Sequence, residues 1–219
     1  MRILVIGEDF NLSECKQKFG PGHVYSHERN RLDAGKYFDQ CDVVFDFVKH
    51  QDNNQMEIYG NHINTSFFFN TSKISLASLF GGISAPRFGF AGLKTFLNRP
   101  VLEVSLLHPA HREKLTNLCH ELNTDFQIVE DRVGLVTPRV ICMIINEAYY
   151  TVEEETATRE DIDLAMKLGT NYPLGPFEWC QKIGVQDVYE LLAAVYEDSK
   201  NERYAICSLL KKEYLAVIA

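Results

Sequence analysis

VGLVTPRVICMIINEAYYTVEEETATREDIDLAMKLGTNYPLGPFEWCQKIG, residues 133–184, reads as three helices with marked ends. Thr137 followed by Pro138 predicts an N-cap and a first-turn proline. Val140, Ile141, Ile144, Ile145, Ala148 and Val152 then recur at helical spacing. Thr158 and Asp161 have capping-box spacing for a second helix, Ile162, Ala165 and Met166 give that helix an apolar face, and Gly169 is expected just past its end. Pro173, Gly175 and Pro176 force a turn, after which Phe177 to Lys182 make a short helix stopped by Gly184. The stretch predicts an all-α module whose turns carry an asymmetric set of polar residues.

Working outward, the chain of 219 residues is long enough for one large domain or two small ones, and 46% hydrophobic with 24% charged residues is an ordinary globular balance. Its apolar runs, such as Met1 to Ile6 and Phe67 to Phe69, are much shorter than the roughly eighteen residues a membrane span requires, and no signal-peptide pattern opens the chain. The expected setting is cytoplasmic, with no membrane partner. Six cysteines are scattered without a CxxC pair, as expected for reduced structural thiols. A net charge of −8 gives no basic footprint, so nucleic acid is not an expected partner. His108 and His111 have HxxH spacing but no acidic or cysteine partner at ligand spacing, so no metal site is expected.

Ahead of the helices, strands and helices alternate. Arg2 to Gly7 is a short apolar run ended by glycine, the pattern of a buried first strand. Phe19-Gly20-Pro21-Gly22 is a turn, and His23 to Ser26 a second strand. Cys41 to Val48 is a third, followed by a polar loop or helix start from His50 to Glu57. Phe67 to Phe69 is a fourth, running into Asn70-Thr71-Ser72. Lys73 to Phe80 is a short helix broken at Gly81-Gly82, and Phe88 to Leu93 a fifth strand. Leu102 to Leu107 and Phe126 to Val129 are strands flanking an amphipathic helix over His108 to Leu122. This order predicts an α/β doubly wound domain over residues 1–130 and an all-α domain over 131–219.

GLVTPRVICMIINEA, ATREDIDLAMKLGTNYPLGPFEW and the Gly184-Val185-Gln186-Asp187 that follows resemble the C-terminal helical domain of the 3-hydroxyacyl-CoA dehydrogenases. NEA, EDID-x-AMK-x-G and YP-x-GPFE occur in family order with family spacing. The resemblance implies a Rossmann-like first domain and an NAD-dependent oxidoreductase of fatty-acid oxidation, acting on the hydroxyl of a 3-hydroxyacyl-CoA. It also implies a homodimer formed through the helical domain.

The same resemblance assigns site positions, and several carry unexpected residues. The family's G-x-G-x-x-G turn reads Gly7, Asp9 and Leu12 here, so two of the glycines that let backbone approach a pyrophosphate are replaced, one of them by an anion. Cofactor contacts would fall to Gly7, to Glu28 at the end of the second strand, and to Asp46 at the end of the third. Too few residues separate Ser26 from Asp42 for the helical pair with which the family grips coenzyme A. Weak or absent NAD binding is therefore expected.

The catalytic positions are Ser72, Lys94 and Glu103. Ser72 matches the serine that binds the substrate oxygen, and equally suits a strand-end turn or helix N-cap. Lys94 stands where the family has its catalytic histidine, and Glu103 matches the histidine's partner in VLEVSL. A lysine ordinarily holds its proton roughly three units too high for a base at neutral pH, a gap worth about 4 kcal/mol. Burial would narrow that gap and a facing carboxylate would widen it. A Lys94–Glu103 salt bridge is the expected arrangement. The family's substrate-binding asparagine is replaced by Pro138, which has no donor. Two functional readings stand: a dehydrogenase homologue still active on some substrate, with Lys94 or an unrecognised group as base, and a non-catalytic relative that keeps the helical domain for dimerisation or partner binding.

Overall fold

The apolar runs of the first half become strands of one sheet. The computed structural model describes residues 1–48, 53–60, 62, 64–81 and 85–219, which divide into two units, Met1–Leu135 and Val136–Ala219.

In the first unit β1 (Arg2–Ile6), β2 (Val24–Glu28), β3 (Val43–Asp46), β4 (Ser66–Asn70), β5 (Arg87–Phe90), β6 (Val101–Leu106) and β7 (Asp125–Ile128) form a sheet of order β2-β1-β3-β4-β5-β6-β7. All neighbours are parallel except β5 and β6, where Phe88 faces Leu106. Because side chains alternate across a strand, the central runs feed two cores. Ile3, Val5, Phe45, Phe68 and Phe88 meet Cys15 and Phe19 of α1 (Asp9–Phe19) and Leu115, Leu118 and Cys119 of α4 (Arg112–Glu121) on one face. Leu4, Ile6, Val44, Phe67 and Phe69 meet Ala34 of α2 (Arg31–Gly35) and Leu76 and Phe80 of α3 (Leu76–Phe80) on the other.

The second unit is helical: α5 (Thr137–Glu153), α6 (Arg159–Thr170), α7 (Pro176–Ile183), α8 (Val185–Ser199) and α9 (Ser208–Ile218). The chain thus folds as the predicted doubly wound α/β sheet followed by an all-α unit.

Several boundaries differ from expectation for local reasons. β2 extends to Glu28 because Val5 and Ile6 continue to pair with His27 and Glu28. The N-cap of α5 is Val136, so Thr137 is the first helical residue rather than the cap, with Pro138 in the first turn. Gly169 lies inside α6, which ends at Asn171 in the left-handed conformation (φ 56°), a role asparagine tolerates. Thr158 does cap α6, accepting the Asp161 N–H at 3.2 Å, and Gly184 (φ 99°) stops α7. The expected loop from His50 falls partly outside the described residues, as does Gly82; Asn53–Tyr59 is 3-10 helical. All six cysteines are buried and outside any disulfide, and no described helix is long and apolar enough to cross a membrane.

Candidate functional site

In a doubly wound sheet the ligand crevice lies outside the carboxyl ends of the strands, where the order reverses. Here that point falls between β1 and β3. The register puts Ile6 beside both Glu28 and Asp46, so the ends of the three strands converge with Gly7 directly after β1.

Gly7 has a glycine-only geometry, φ 156°, and a Cβ there would meet Asn11 Oδ1 at 2.6 Å and Phe47 Cβ at 3.0 Å. The neighbour that demands glycine is thus a side chain of α1. Asn11 is buried, and its Oδ1 accepts the Glu8 N–H at 2.9 Å, engaging the first backbone donor of the turn. Asp9 is a largely exposed carboxylate. It accepts from Arg29 Nη2 at 2.7 Å and lies 3.7 Å from His27 Nδ1, while His27 Nε2 contacts the Gly7 carbonyl at 2.8 Å. Glu28 is half-buried at the strand end, its carbonyl accepting the Gly7 N–H at 2.9 Å.

Asp46, expected as a cofactor contact, lies inside the unit. It is 0% exposed and fully engaged inside the unit. Arg31 Nε donates to its Oδ2 at 2.7 Å, Tyr59 Oη donates to the same oxygen at 2.7 Å, and the Val48 N–H donates to Oδ1 at 2.9 Å. The Arg31 Nη2 continues to the Val48 carbonyl at 2.6 Å. A buried charge needs such a set of partners. Burial, with Asp46 adding to it, also pushes the Tyr59 hydroxyl well above its ordinary value.

Ser72 sits past the end of β4, 0% exposed. Its Oγ donates to Asn70 Oδ1 at 2.8 Å and accepts the Gly92 N–H at 3.2 Å, and Asn70 Oδ1 also accepts the Gly92 N–H at 3.1 Å. The Asn-Thr-Ser turn therefore stitches the ends of β4 and β5 together. Gly92 is required because a Cβ would meet Asn70 Cγ at 2.6 Å.

Lys94 departs from the expected pairing with Glu103. It is exposed, with Nζ 4.8 Å from the centroid of the Phe10 ring, and the carboxylate on which its charge acts is Glu14. Among the described residues no ion pair joins it to Glu103, so the expected Lys94–Glu103 bridge is not formed. The segment after β5 turns sharply at Thr95 (φ 75°) and drives Phe96 and Leu97 into the core. Its outer side is fastened to α1: Glu14 Oε1 accepts the Thr95 N–H at 2.8 Å, and Lys18 Nζ donates to the Arg99 and Pro100 carbonyls at 2.6 and 3.0 Å. Lys94 is carried onto the surface of α1. Glu103, half-buried on β6, has Arg99 as a charged neighbour instead.

The motifs of the helical unit that carry the resemblance have structural partners. Asp163 caps α7, its carboxylate accepting the Phe177 and Glu178 N–H groups at 2.8 and 3.2 Å. Gly175 is the residue that leaves room for it, since a Cβ would overlap the Asp163 carboxylate. Glu178 accepts the Gly175 N–H at 2.9 Å and pairs with Lys167 at 2.5 Å, and these bonds, the lysine's first, hold its carboxyl below the ordinary range. Asn146 clamps the approach to α9, donating to the Ala205 carbonyl and accepting the Cys207 N–H, each at 2.9 Å. Pro138 is buried in the first turn of α5. A cavity of about 440 Å³ in this unit is lined by Tyr149, Arg159, Phe177 and Glu213 among others. Tyr149 Oη donates to Glu213 at 2.5 Å and Arg159 pairs with the same carboxylate. Among the described residues no group of three or more His, Cys, Asp or Glu side chains is placed to hold a metal.

Residues 134–216 match the model of the 3-hydroxyacyl-CoA dehydrogenase C-terminal domain. The 3-hydroxyadipyl-CoA dehydrogenase of Escherichia coli is 39% identical over 106 residues, 48% of this chain and 22% of that protein. A 3-hydroxybutyryl-CoA dehydrogenase of Bradyrhizobium diazoefficiens is 30% identical over 148 residues, 65% of this chain and 50% of that protein. These matches thus span half or less of the relatives' own lengths. The (S)-3-hydroxybutyryl-CoA dehydrogenase of Ralstonia eutropha superposes with a TM-score of 0.76 over 99% of this chain and 94% of that one, at 19% identity, which shows a shared fold. Residues 134–216 thus match the C-terminal domain of the 3-hydroxyacyl-CoA dehydrogenase family, and the chain shares the fold of those enzymes.

Arg31, Asn11, Glu14, Asn146 and Asp163, which organise these sites, were not singled out by sequence for those roles. Only Asp163 had a readable signal, its place in EDID ahead of a Gly-Pro helix start.

Proposed function

We propose that this chain has lost the dehydrogenase chemistry and acts through its helical unit, as a dimerising or partner-binding protein. One observation carries the reading: the residue at the catalytic-histidine position, Lys94, lies on the outer surface over Phe10 and beside Glu14. A general base must reach the proton it removes and be braced by its partner. An exposed ammonium over Phe10, with no ion pair to Glu103 among the described residues, meets neither condition. Ser72 supports the reading, because its hydroxyl is buried and already bonded on both sides.

The residues present do not fit NAD. The turn after β1 carries Glu8 and Asp9, its first N–H is engaged by Asn11, and Asp46 is taken up by Arg31 and Tyr59. The helical unit, by contrast, keeps its capping network and leaves Leu164 (53%) and Leu168 (78%) exposed one turn apart on α6. An apolar edge of this kind supports association with a second copy of the chain, across a two-fold axis.

The test is an assay of 3-hydroxybutyryl-CoA oxidation with NAD by the purified chain and by Lys94→Ala. No turnover above background is expected from either. Turnover by the wild type that disappears in Lys94→Ala would make Lys94 the base and overturn the proposal.

A further inference from the structure

In the helical unit α9 is fastened differently from its neighbour. α8 buries Val188, Leu191, Leu192 and Val195, whereas α9 buries Leu210 alone. Leu215, Val217 and Ile218 of α9 are 49%, 62% and 48% exposed. Burial of an apolar face is what ordinarily holds a helix in place, and along α9 that contribution is small.

Polar contacts hold it instead. At its start the Glu153 carboxylate of α5 accepts the Ser208 hydroxyl and, at 3.1 Å, the Leu209 N–H, and Cys207 Sγ donates to the same carboxylate at 3.5 Å. Farther along, Glu213 takes the Tyr149 hydroxyl on one oxygen and Arg159 on the other, and Tyr214 stacks on Tyr189 of α8 with ring centroids 4.0 Å apart. The Arg159 guanidinium lies over the Tyr149 and Phe177 rings, 5.2 and 4.9 Å from their centroids. The cradle that receives Glu213 is therefore built by α5, α6 and α7. The Arg159 and Glu213 side chains are 38% and 33% exposed, and ion pairs open to solvent to that degree hold weakly. Just ahead of α9 the backbone is pinned, because Asn146 binds both the Ala205 carbonyl and the Cys207 N–H. A helix with one buried anchor, a carboxylate latch at each of two points and a pinned entry is able to open as a unit without disturbing the rest.

We propose that α9 is a strap that opens by itself, hinged at Cys207 and latched by Glu213, while α5 to α8 stay folded. Glu213 shares a cavity wall with Tyr149, Arg159 and Phe177, so the strap gates that cavity. Closed, it fills the carboxylate position between Arg159 and the Tyr149 hydroxyl; open, it leaves those two donors free and bares the surface under Leu210. This inference uses none of the dehydrogenase positions and stands or falls apart from the loss of that chemistry.

Native-state hydrogen exchange of the full chain, resolved by residue, tests the strap. Amides of residues 211–218 should exchange faster than those of 188–196 in α8, and at one common rate along α9, where fraying from the helix end would give a graded one. Glu213→Gln keeps the shape and removes the charge; it should speed α9 roughly tenfold and change α8 less than about twofold, since a charge-assisted latch is lost and the rest of the unit is not. Glu153→Ala should act in the same direction. Should Glu213→Gln not fold, the wild-type pattern decides. Protection in α9 equal to that in α8, or graded along α9, would overturn the proposal, as would a folded Glu213→Gln in which α9 is not selectively faster.

Discussion

Gly175→Ala isolates the role of the GPFE motif. The backbone at Gly175 is φ −74°, ψ 165°, which alanine adopts freely, so on conformational entropy alone the substitution would stabilise by about 0.4–1 kcal/mol. The new Cβ, however, would overlap the Asp163 carboxylate. Asp163 must then swing away from the Phe177 and Glu178 N–H groups it caps. Loss of a carboxylate cap costs about 1–2 kcal/mol. The net expectation is a loss of about 1 kcal/mol, or a fall of roughly 4–8 °C in Tm for a unit of this size. The effect should invert once the carboxylate is gone: Asp163→Ala is expected to be destabilising by itself, and adding Gly175→Ala to it should recover some stability. Urea titration followed by fluorescence of Trp179, which is in α7 and is the chain's only tryptophan, reads the correct unit. Additive effects of the two substitutions, or a stabilising Gly175→Ala in the wild-type background, would refute the capping account.

Three further outcomes follow from the first unit and from α6. Asp46→Asn keeps the shape but removes the buried carboxylate charge to which Arg31 Nε and Tyr59 Oη donate, and is expected to cost about 3–5 kcal/mol in urea unfolding; a loss under 1 kcal/mol would contradict the buried-pair reading. Burial holds the Glu14 carboxyl above its ordinary range, outweighing the Thr95 N–H and Lys94. Ionised Glu14 therefore favours the unfolded chain, a penalty absent below the unfolded carboxyl value near 4.3 and fully developed above the raised folded value. The Tm difference of Glu14→Gln over wild type should grow from pH 4 toward neutrality and then level off, and a difference that shrinks over that range would reverse the sign assigned to burial. Light scattering should report a dimer that Leu168→Glu weakens, whereas a monomeric wild type at tens of micromolar would exclude the self-association reading.

What the sequence made legible was what neighbouring residues determine. Arg2 to Ile6 and Phe67 to Phe69 read as strands because unbroken apolar runs bounded by turns have few other uses, and Thr158 read as a cap because its partner is three residues away. The Lys94–Glu103 pairing failed because Lys94's direction is set by distant residues: Phe96 and Leu97 anchor the turn in the core while Glu14 and Lys18 of α1 hold its outer side. Asp46 read as a cofactor residue because its position is right. Its engagement depends on Arg31 and Tyr59, fifteen and thirteen residues away and on separate elements, and no local pattern reports that. Gly169 was misread as the end of α6 because glycine is the commoner C-terminal signal, and Asn171 supplied the left-handed residue instead.

The central claim is that the turn after β1 and the ends of β1 and β3 have been rebuilt around internal partners, so that the crevice takes no dinucleotide. Isothermal titration of the purified wild-type chain with NADH at physiological salt tests it directly. No saturable heat is expected up to millimolar NADH; a micromolar Kd that Glu28→Ala weakens would contradict the account.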